Sequence, residues 1–151
     1  MDSIADFQDM LSALHRQNAR YLIVGGMAFV YHAKPRFTKD MDIWIDPAAD
    51  NIARANNALA EFGCPYLLDP GKTEQILQIG LPPNRIDILQ SVGHLDFETA
   101  WNKRDIGRYG SVETNWIDLE SLLAVKEQIP DARHQADAEC LRQVRALRQE
   151  S

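Results

Sequence analysis

The stretch that decides the fold of this chain is Tyr21-Leu-Ile-Val-Gly-Gly-Met-Ala-Phe-Val-Tyr-His-Ala-Lys-Pro-Arg-Phe-Thr-Lys-Asp-Met-Asp-Ile-Trp-Ile-Asp46. It contains two apolar runs, over 21–24 and 41–45, that predict two buried strands. Between them lie a Gly-Gly turn, a short segment predicted to be helical over 27–33, and a polar loop. We expect the helix to end before Pro35, because the residue that precedes a proline disfavours helical geometry.

Two carboxylates, Asp40 and Asp42, stand at the start of the second strand. Side chains alternate along a strand, so both project from one face, with Cα atoms roughly 7 Å apart. Their flexible ends can converge on one divalent cation or on a pair of them. Because two like charges at this spacing repel, we expect a positive group between them. Trp44 shares this face and is interpreted as a core residue.

The residues between the strands predict a phosphate site. Gly25 and Gly26 allow a close backbone approach that a Cβ would block, and the helix that begins there offers free N–H groups. Arg36 and Thr38 precede the carboxylates and are placed to contact anionic oxygens. With the two aspartates, these residues favour binding of a metal-bound triphosphate, where charge neutralisation and alignment do most of the catalysis.

The rest of the chain predicts a mixed α/β (α+β) arrangement. Helices are expected over 3–18, from the cap residue Asp50 to 62, over 97–103, after the cap residue Asp118 and over 133–148, and strands over 67–68, 75–79, 85–89, 106–109 and 112–116. Asp87 lies inside the apolar strand 85–89. A charged residue there is costly unless it is paired, for example with Arg85, or faces a cleft.

The length of 151 residues predicts one domain over 1–151, with a core at about 20–90 and a C-terminal helical part at about 117–149. The longest apolar stretch, over 22–31, is too short to span a bilayer. Cys64 and Cys140 are isolated, so neither a zinc site nor a disulfide framework is indicated. We therefore expect a cytoplasmic protein with reduced thiols and no membrane partner.

The net charge of −6 argues against a general nucleic-acid coat protein. It does not exclude an enzyme that binds nucleic acid through a local basic patch. Arg142, Arg145 and Arg148 repeat every three residues in the last helix, which usually indicates a solvated face but could supply such a patch for an RNA acceptor.

Four motifs, in this order along the chain, resemble those of the DNA polymerase β-like nucleotidyltransferase superfamily, and within it the small proteins related to AbiEii-type abortive-infection toxins. They are Val24-Gly25-Gly26, Arg36-Phe-Thr38-Lys-Asp40-Met-Asp42, Ile86-Asp87-Ile88-Leu89 and Leu119-Glu-Ser-Leu-Leu-Ala-Val-Lys126. The resemblance covers about 21–126. It implies the polymerase β-like fold, a mixed central sheet flanked by helices with a C-terminal helical segment.

The resemblance also implies a function. Asp40, Asp42 and Asp87 would bind Mg²⁺ or Mn²⁺, and Asp87 would help to deprotonate an attacking hydroxyl. The nucleotide-binding residues would be Gly25, Gly26, Arg36, Thr38 and Lys126. The enzyme would transfer a nucleoside monophosphate from an NTP to a hydroxyl of a tRNA end or a protein, as a toxin with a cognate antitoxin partner.

Two departures and two alternatives stay open. The stretch Asp131-Ala-Arg-His-Gln-Ala-Asp137 keeps a final aspartate but lacks the Lys-Asp pair of the relatives, and the chain is much shorter than a full AbiEii-type toxin. One alternative is an antibiotic nucleotidyltransferase, which the acidic composition favours and the Arg-x-Thr spacing and the lysine helix oppose. The other is a nucleotidyltransferase fold kept as a non-catalytic binding partner, which the intact acids oppose.

Overall fold

The structure is a computed structural model that describes residues 3–80 and 84–150. Its helices in these ranges are α1 (Ser3–Arg16), α2 (Gly25–His32), α3 (Ala49–Phe62), α4 (Phe97–Asn102), α5 (Leu119–Gln128) and α6 (Ala132–Glu150). Its strands in the same ranges are β1 (Tyr21–Val24), β2 (Met41–Ile45), β3 (Ile76–Ile79), β4 (Ile86–Leu89), β5 (Asp105–Tyr109) and β6 (Val112–Trp116).

The strands form one six-stranded mixed sheet in the order β3-β4-β2-β1-β6-β5. The central strands β1 and β2 are antiparallel, while β1 pairs with β6 and β2 pairs with β4 in parallel. The outer pairs, β3 with β4 and β5 with β6, are antiparallel hairpins. The predicted mixed α/β class with a C-terminal helical segment is therefore confirmed.

The two apolar runs occupy the middle of the sheet because every residue of β1 is buried and β2 buries Ile43 and Ile45 completely. Trp44 is also buried, with its ring 5.0 Å from that of Phe97 in an edge-to-face contact. The prediction that Trp44 belongs to the core is confirmed. Helices α1 and α3 pack on each other, as do α5 and α6, and α2 contacts the latter pair.

The chain passes from β1 into α2 without an intervening loop. Gly25 makes this possible with a positive φ of 68°, a conformation that costs other residues free energy. Val24 precedes α2 and makes no side-chain capping bond, so this end of the helix keeps backbone N–H groups for another partner. The helix begins two residues earlier than expected and ends one residue earlier.

The predicted strand over 67–68 is wrong. Leu68 donates its backbone N–H to Asn56 Oδ1 at 2.8 Å, and Asn56 Nδ2 donates to the Leu68 carbonyl at 3.0 Å. The side-chain amide on α3 satisfies this backbone in place of a neighbouring strand. Asp118 caps α5 as expected, since its Oδ2 accepts from the Ser121 N–H at 3.1 Å. The expected cap residue Asp50 instead lies in the first turn of α3, whose N-cap is Ala48. No helix of the described ranges is long and apolar enough to cross a membrane.

Candidate active site

Parallel pairing of β2 and β4 brings the predicted acids together. Asp42 and Asp87 are register partners, so their side chains leave the same face of the sheet one strand apart. Burial, the largest cause, and the neighbouring charges of Asp87 and Asp40 together raise the pKa of Asp42 to about 6. The three carboxylates therefore form one electrostatic cluster.

Arg85 provides a positive group at the acids, but it pairs with Asp40 and Asp87, whereas the carboxylate spacing led us to expect one between Asp40 and Asp42. Its Nη2 lies 3.5 Å from Asp40 Oδ2 and donates to Asp87 Oδ2 at 3.2 Å. Its Nε lies 2.9 Å from Asp87 Oδ1, yet neither of these two buried atoms has a hydrogen-bond partner among the described residues. The pairing of Asp87 with Arg85 that the sequence left open is thus present, and it leaves one carboxylate oxygen incompletely satisfied.

The Gly-Gly turn lies directly against the acids. A Cβ on Gly25 would come within 2.1 Å of Asp42 Oδ2, and a Cβ on Gly26 within 2.9 Å of Thr38 Oγ1. Both glycines are therefore required by close approach, and Gly25 by its positive φ as well. The N-terminus of α2 consequently faces the same space as Asp42 and Thr38.

The predicted cations Arg36 and Lys126 meet on a carboxylate of α6. Arg36 forms a two-pronged pair with Asp137, with Nη1–Oδ1 and Nη2–Oδ2 distances of 2.8 and 3.1 Å. Lys126 Nζ lies 2.9 Å from Asp137 Oδ2 and 3.1 Å from His134 Nδ1. Lys126 is buried, so it does not extend to solvent from its apolar helix face. Burial acts to raise the pKa of Asp137, but the bonds from the two cations outweigh it and the pKa is lowered.

A cavity of about 510 Å³ lies between the acidic and basic groups. Seven of the eight predicted site residues line it, namely Gly25, Gly26, Arg36, Thr38, Asp40, Asp42 and Lys126. The eighth, Asp87, lies beside Asp42 but does not line the cavity. The cavity is thus lined by carboxylates, by cationic side chains and by the glycines at the N-terminus of α2. This distribution suits a polyanion that carries a metal ion.

Sequence reasoning gave no site role to Arg85, Arg133 or His134. Arg85 precedes the third acid by two residues, and this same-face spacing was the available signal. Arg133 and His134 line the cavity from the first turn of α6. No local pattern marks them, because only the packing of α6 on α5 brings them to the site.

The arginines of the last helix do not form an open basic patch. Arg142 pairs with Glu127 and Glu139 at 3.3 and 3.0 Å, and Arg145 pairs with Glu120 at 3.3 Å. These contacts match the expectation of a solvated, charge-balanced face.

Comparison with solved structures finds a fold match to the lincosamide antibiotic adenylyltransferase LnuA in its lincomycin-bound crystal structure. The TM-score is 0.59 at 15% sequence identity, and the match covers 93% of this chain and 96% of that chain. No protein-family model and no curated protein sequence matches the chain. The chain therefore shares the fold of this adenylyltransferase, and the mixed α/β fold class expected from the motifs is confirmed.

Proposed function

We propose that this protein is a metal-dependent nucleotidyltransferase that transfers a nucleoside monophosphate from an NTP to an acceptor hydroxyl. The observation that carries the proposal is the parallel register of Asp42 with Asp87, with Gly25 held against Asp42. It gathers carboxylates beside a free helix N-terminus, the two kinds of group that a metal-bound triphosphate needs.

The donor set fits a divalent cation. Asp40, Asp42 and Asp87 offer oxygen ligands, which Mg²⁺ and Mn²⁺ prefer, and Asp87 Oδ1 is a buried acceptor without a hydrogen bond among the described residues. As they stand, the described side chains do not already surround a metal position, and the guanidinium of Arg85 lies against two of the three carboxylates. A bound Mg²⁺ or Mn²⁺ would neutralise phosphate charge in the transition state.

The other side of the cavity would bind the triphosphate. The backbone N–H groups at the start of α2 would donate to the β- and γ-phosphates. Thr38 would donate its hydroxyl, while Arg36 and Lys126 would contribute positive charge from their shared position on Asp137. Asp137 keeps these two buried or partly buried cations in place when no anion is bound.

In the transfer step, the acceptor oxygen would form a bond to the α-phosphorus while the bond from that phosphorus to the bridging oxygen breaks. Asp87 would accept the proton of the hydroxyl, and pyrophosphate would leave toward the Gly-Gly turn. The sheet order supports this direction, because β4 carries Asp87 on one side of β2 and the turn follows β1 on the other.

Two acceptor classes follow from different observations. The motif resemblance to toxin-like proteins supports a tRNA end or a protein hydroxyl, with an antitoxin partner. A small hydroxylated antibiotic is supported by the likeness to an antibiotic adenylyltransferase over 93% of this chain. The acidic partners of Arg142 and Arg145 offset the charge of these two arginines, which weakens the case for an RNA-binding patch on that helix. We favour the small-molecule acceptor.

The test is to incubate the protein with each α-labelled NTP, Mg²⁺ and one acceptor pool: hydroxylated antibiotics including lincosamides, bulk tRNA, or cell lysate. Asp42→Ala is the inactive variant, and Asp69→Ala, at an exposed site on another loop, is its matched control. We expect label on an acceptor with the wild type and Asp69→Ala but not with Asp42→Ala. Labelled tRNA or protein would restore the toxin-like reading, and Mg²⁺-dependent NTP binding without transfer would favour a binding module.

A further inference from the structure

Arg85 is held at the acids by its backbone as well as by its side chain. Its carbonyl accepts the N–H of Met41 at 2.9 Å, which joins the start of β2 to the residue before β4. The backbone of Arg85 is therefore held in place, and its guanidinium contacts the carboxylates of both Asp40 and Asp87. Its side chain is 29% exposed, so it has room to move toward solvent.

The contacts that Arg85 makes to a carboxylate are poorer than those of Arg36, an arginine that lines the cavity. Arg36 makes two aligned hydrogen bonds to Asp137, at 2.8 and 3.1 Å. Arg85 makes one aligned bond to Asp87, at 3.2 Å, and its 2.9 Å approach from Nε to Oδ1 is not a hydrogen bond. A planar guanidinium satisfies a carboxylate fully only in the aligned two-pronged arrangement. The Arg85 pairing is thus an ion pair that a better cation can replace.

The charge balance points the same way. Three carboxylates at this position carry a charge of about −3 when ionised, and one guanidinium offsets a third of it. A divalent cation would offset twice as much and would accept ligands from several oxygens without the directional demands of N–H donors. Arg85 and such a cation need the same oxygens of Asp40 and Asp87.

We propose that Arg85 is an internal counter-ion, which occupies the cation position of the site in the metal-free protein and is displaced outward when Mg²⁺ or Mn²⁺ binds. This inference rests on the proposed function, since it requires the three acids to be the metal site. Its consequence is that Arg85 weakens metal binding while it stabilises the metal-free fold. The site then binds a metal ion only when the metal concentration is high enough for the ion to displace Arg85.

The test measures Mn²⁺ binding directly, from the loss of the free-ion electron paramagnetic resonance signal on titration. Arg85→Gln removes the positive charge and keeps a polar, though shorter, side chain. Arg108→Gln, at an exposed position on β5, changes the net charge by the same amount away from the acids. We expect Arg85→Gln to bind Mn²⁺ roughly three- to tenfold more tightly than the wild type, while Arg108→Gln matches the wild type.

Thermal unfolding supplies a second readout that does not depend on activity. Without metal, Arg85→Gln is expected to melt at a lower temperature than the wild type, and added Mn²⁺ is expected to raise its melting temperature by more. Unchanged or weaker Mn²⁺ binding by Arg85→Gln would overturn the inference, because Arg85 would then be either uninvolved or a support for Asp87.

The same titration separates this inference from the proposed function. Mn²⁺ binding by the wild type that is lost in Asp42→Ala supports the metal site whatever Arg85 does. If the wild type and Asp42→Ala bind Mn²⁺ equally or not at all, the site assignment itself fails, and the Arg85 inference fails with it.

Discussion

Asp42 on β2 and Asp87 on β4 face each other across a parallel pair of strands, near enough that the charge of Asp87 opposes ionisation of Asp42. Burial of Asp42 is the largest cause of its raised pKa of about 6, followed by the charges of Asp87 and Asp40. The folded protein thus keeps a carboxylate where ionisation is unfavourable. Other contacts in the folded protein must offset the unfavourable free energy of this carboxylate. Such an arrangement is typical of a functional site that binds a cation.

Asp42→Asn is expected to stabilise the metal-free protein by about 1–3 kcal/mol at pH 7.5. The pKa of Asp42 rises from its ordinary value of 3.8 to about 6 in the folded state, so folding disfavours the charged form. The loss of folding stability caused by the Asp42 charge is absent below pH 3.8, grows between pH 3.8 and about pH 6, and is complete above about pH 6. Urea unfolding of the wild type and of Asp42→Asn, at pH 7.5 and at pH 4, measures the difference in their free energies of unfolding.

The control for this prediction is Asp50→Asn, at an exposed site on α3. It is expected to change the free energy of unfolding by less than about 0.5 kcal/mol at either pH. A metal-free Asp42→Asn protein that is less stable than the wild type at pH 7.5 would contradict the raised pKa.

Binding of Mn²⁺ is expected to weaken as the pH falls through about 6, because protons then compete for Asp42. Below that value the apparent affinity should fall by about tenfold for each pH unit, provided one proton is displaced. Titrations of Mn²⁺ at pH 5, 6 and 7.5 measure the slope. In Asp42→Asn, the affinity of any residual Mn²⁺ binding should not change in this way near pH 6. If it changes with pH as in the wild type, a group other than Asp42 is responsible for the pH dependence.

Gly25→Ala is expected to abolish Mn²⁺ binding and nucleotidyl transfer. The added Cβ would stand 2.1 Å from Asp42 Oδ2 and would force the carboxylate or the turn to move. Gly71→Ala is the matched control, since Gly71 also has a positive φ, of 84°, but has open space at its Cβ position. Both variants bear the cost of a positive φ, about 1–2 kcal/mol, so the difference between them isolates the collision with Asp42.

The measurement for this pair is Mn²⁺ titration beside urea unfolding. Loss of Mn²⁺ binding in Gly25→Ala alone, in a protein that remains folded, is the expected outcome. Equal Mn²⁺ affinity in the two variants would mean that the turn does not constrain Asp42.

Asp137→Ala is expected to destabilise the protein by about 3–5 kcal/mol, because it leaves a buried charge on Lys126 without its carboxylate partner. Replacing both partners, in Lys126→Met with Asp137→Leu, is expected to recover most of the loss. Glu139→Ala, on the exposed face of the same helix, should cost less than about 0.5 kcal/mol. Urea unfolding ranks the three proteins, and equal values for Asp137→Ala and Glu139→Ala would contradict the buried pairing.

The acidic half of the candidate site was readable from the sequence because its parts are local. A two-residue spacing places Asp40 and Asp42 on one strand face, and a Gly-Gly pair after an apolar run predicts a tight strand-to-helix turn. The spacing of apolar residues also predicted most helices and strands. Because one face of each element is buried, its apolar residues recur with the period of a helix or of a strand. The strand over 67–68 failed for the converse reason, because its backbone is satisfied by a distant side chain, Asn56.

The tertiary structure alone decided how the two halves of the site are balanced in charge. Arg36 and Asp137 lie 101 residues apart in the sequence and meet only because α6 packs over the loop before β2. Arg85 reaches Asp40 only because β4 pairs with β2 in parallel, and strand order follows from the burial of whole faces. Residue types and spacing determined which carboxylates, glycines and cations this protein has at the candidate site. Long-range packing determined which opposite charge each charged group contacts.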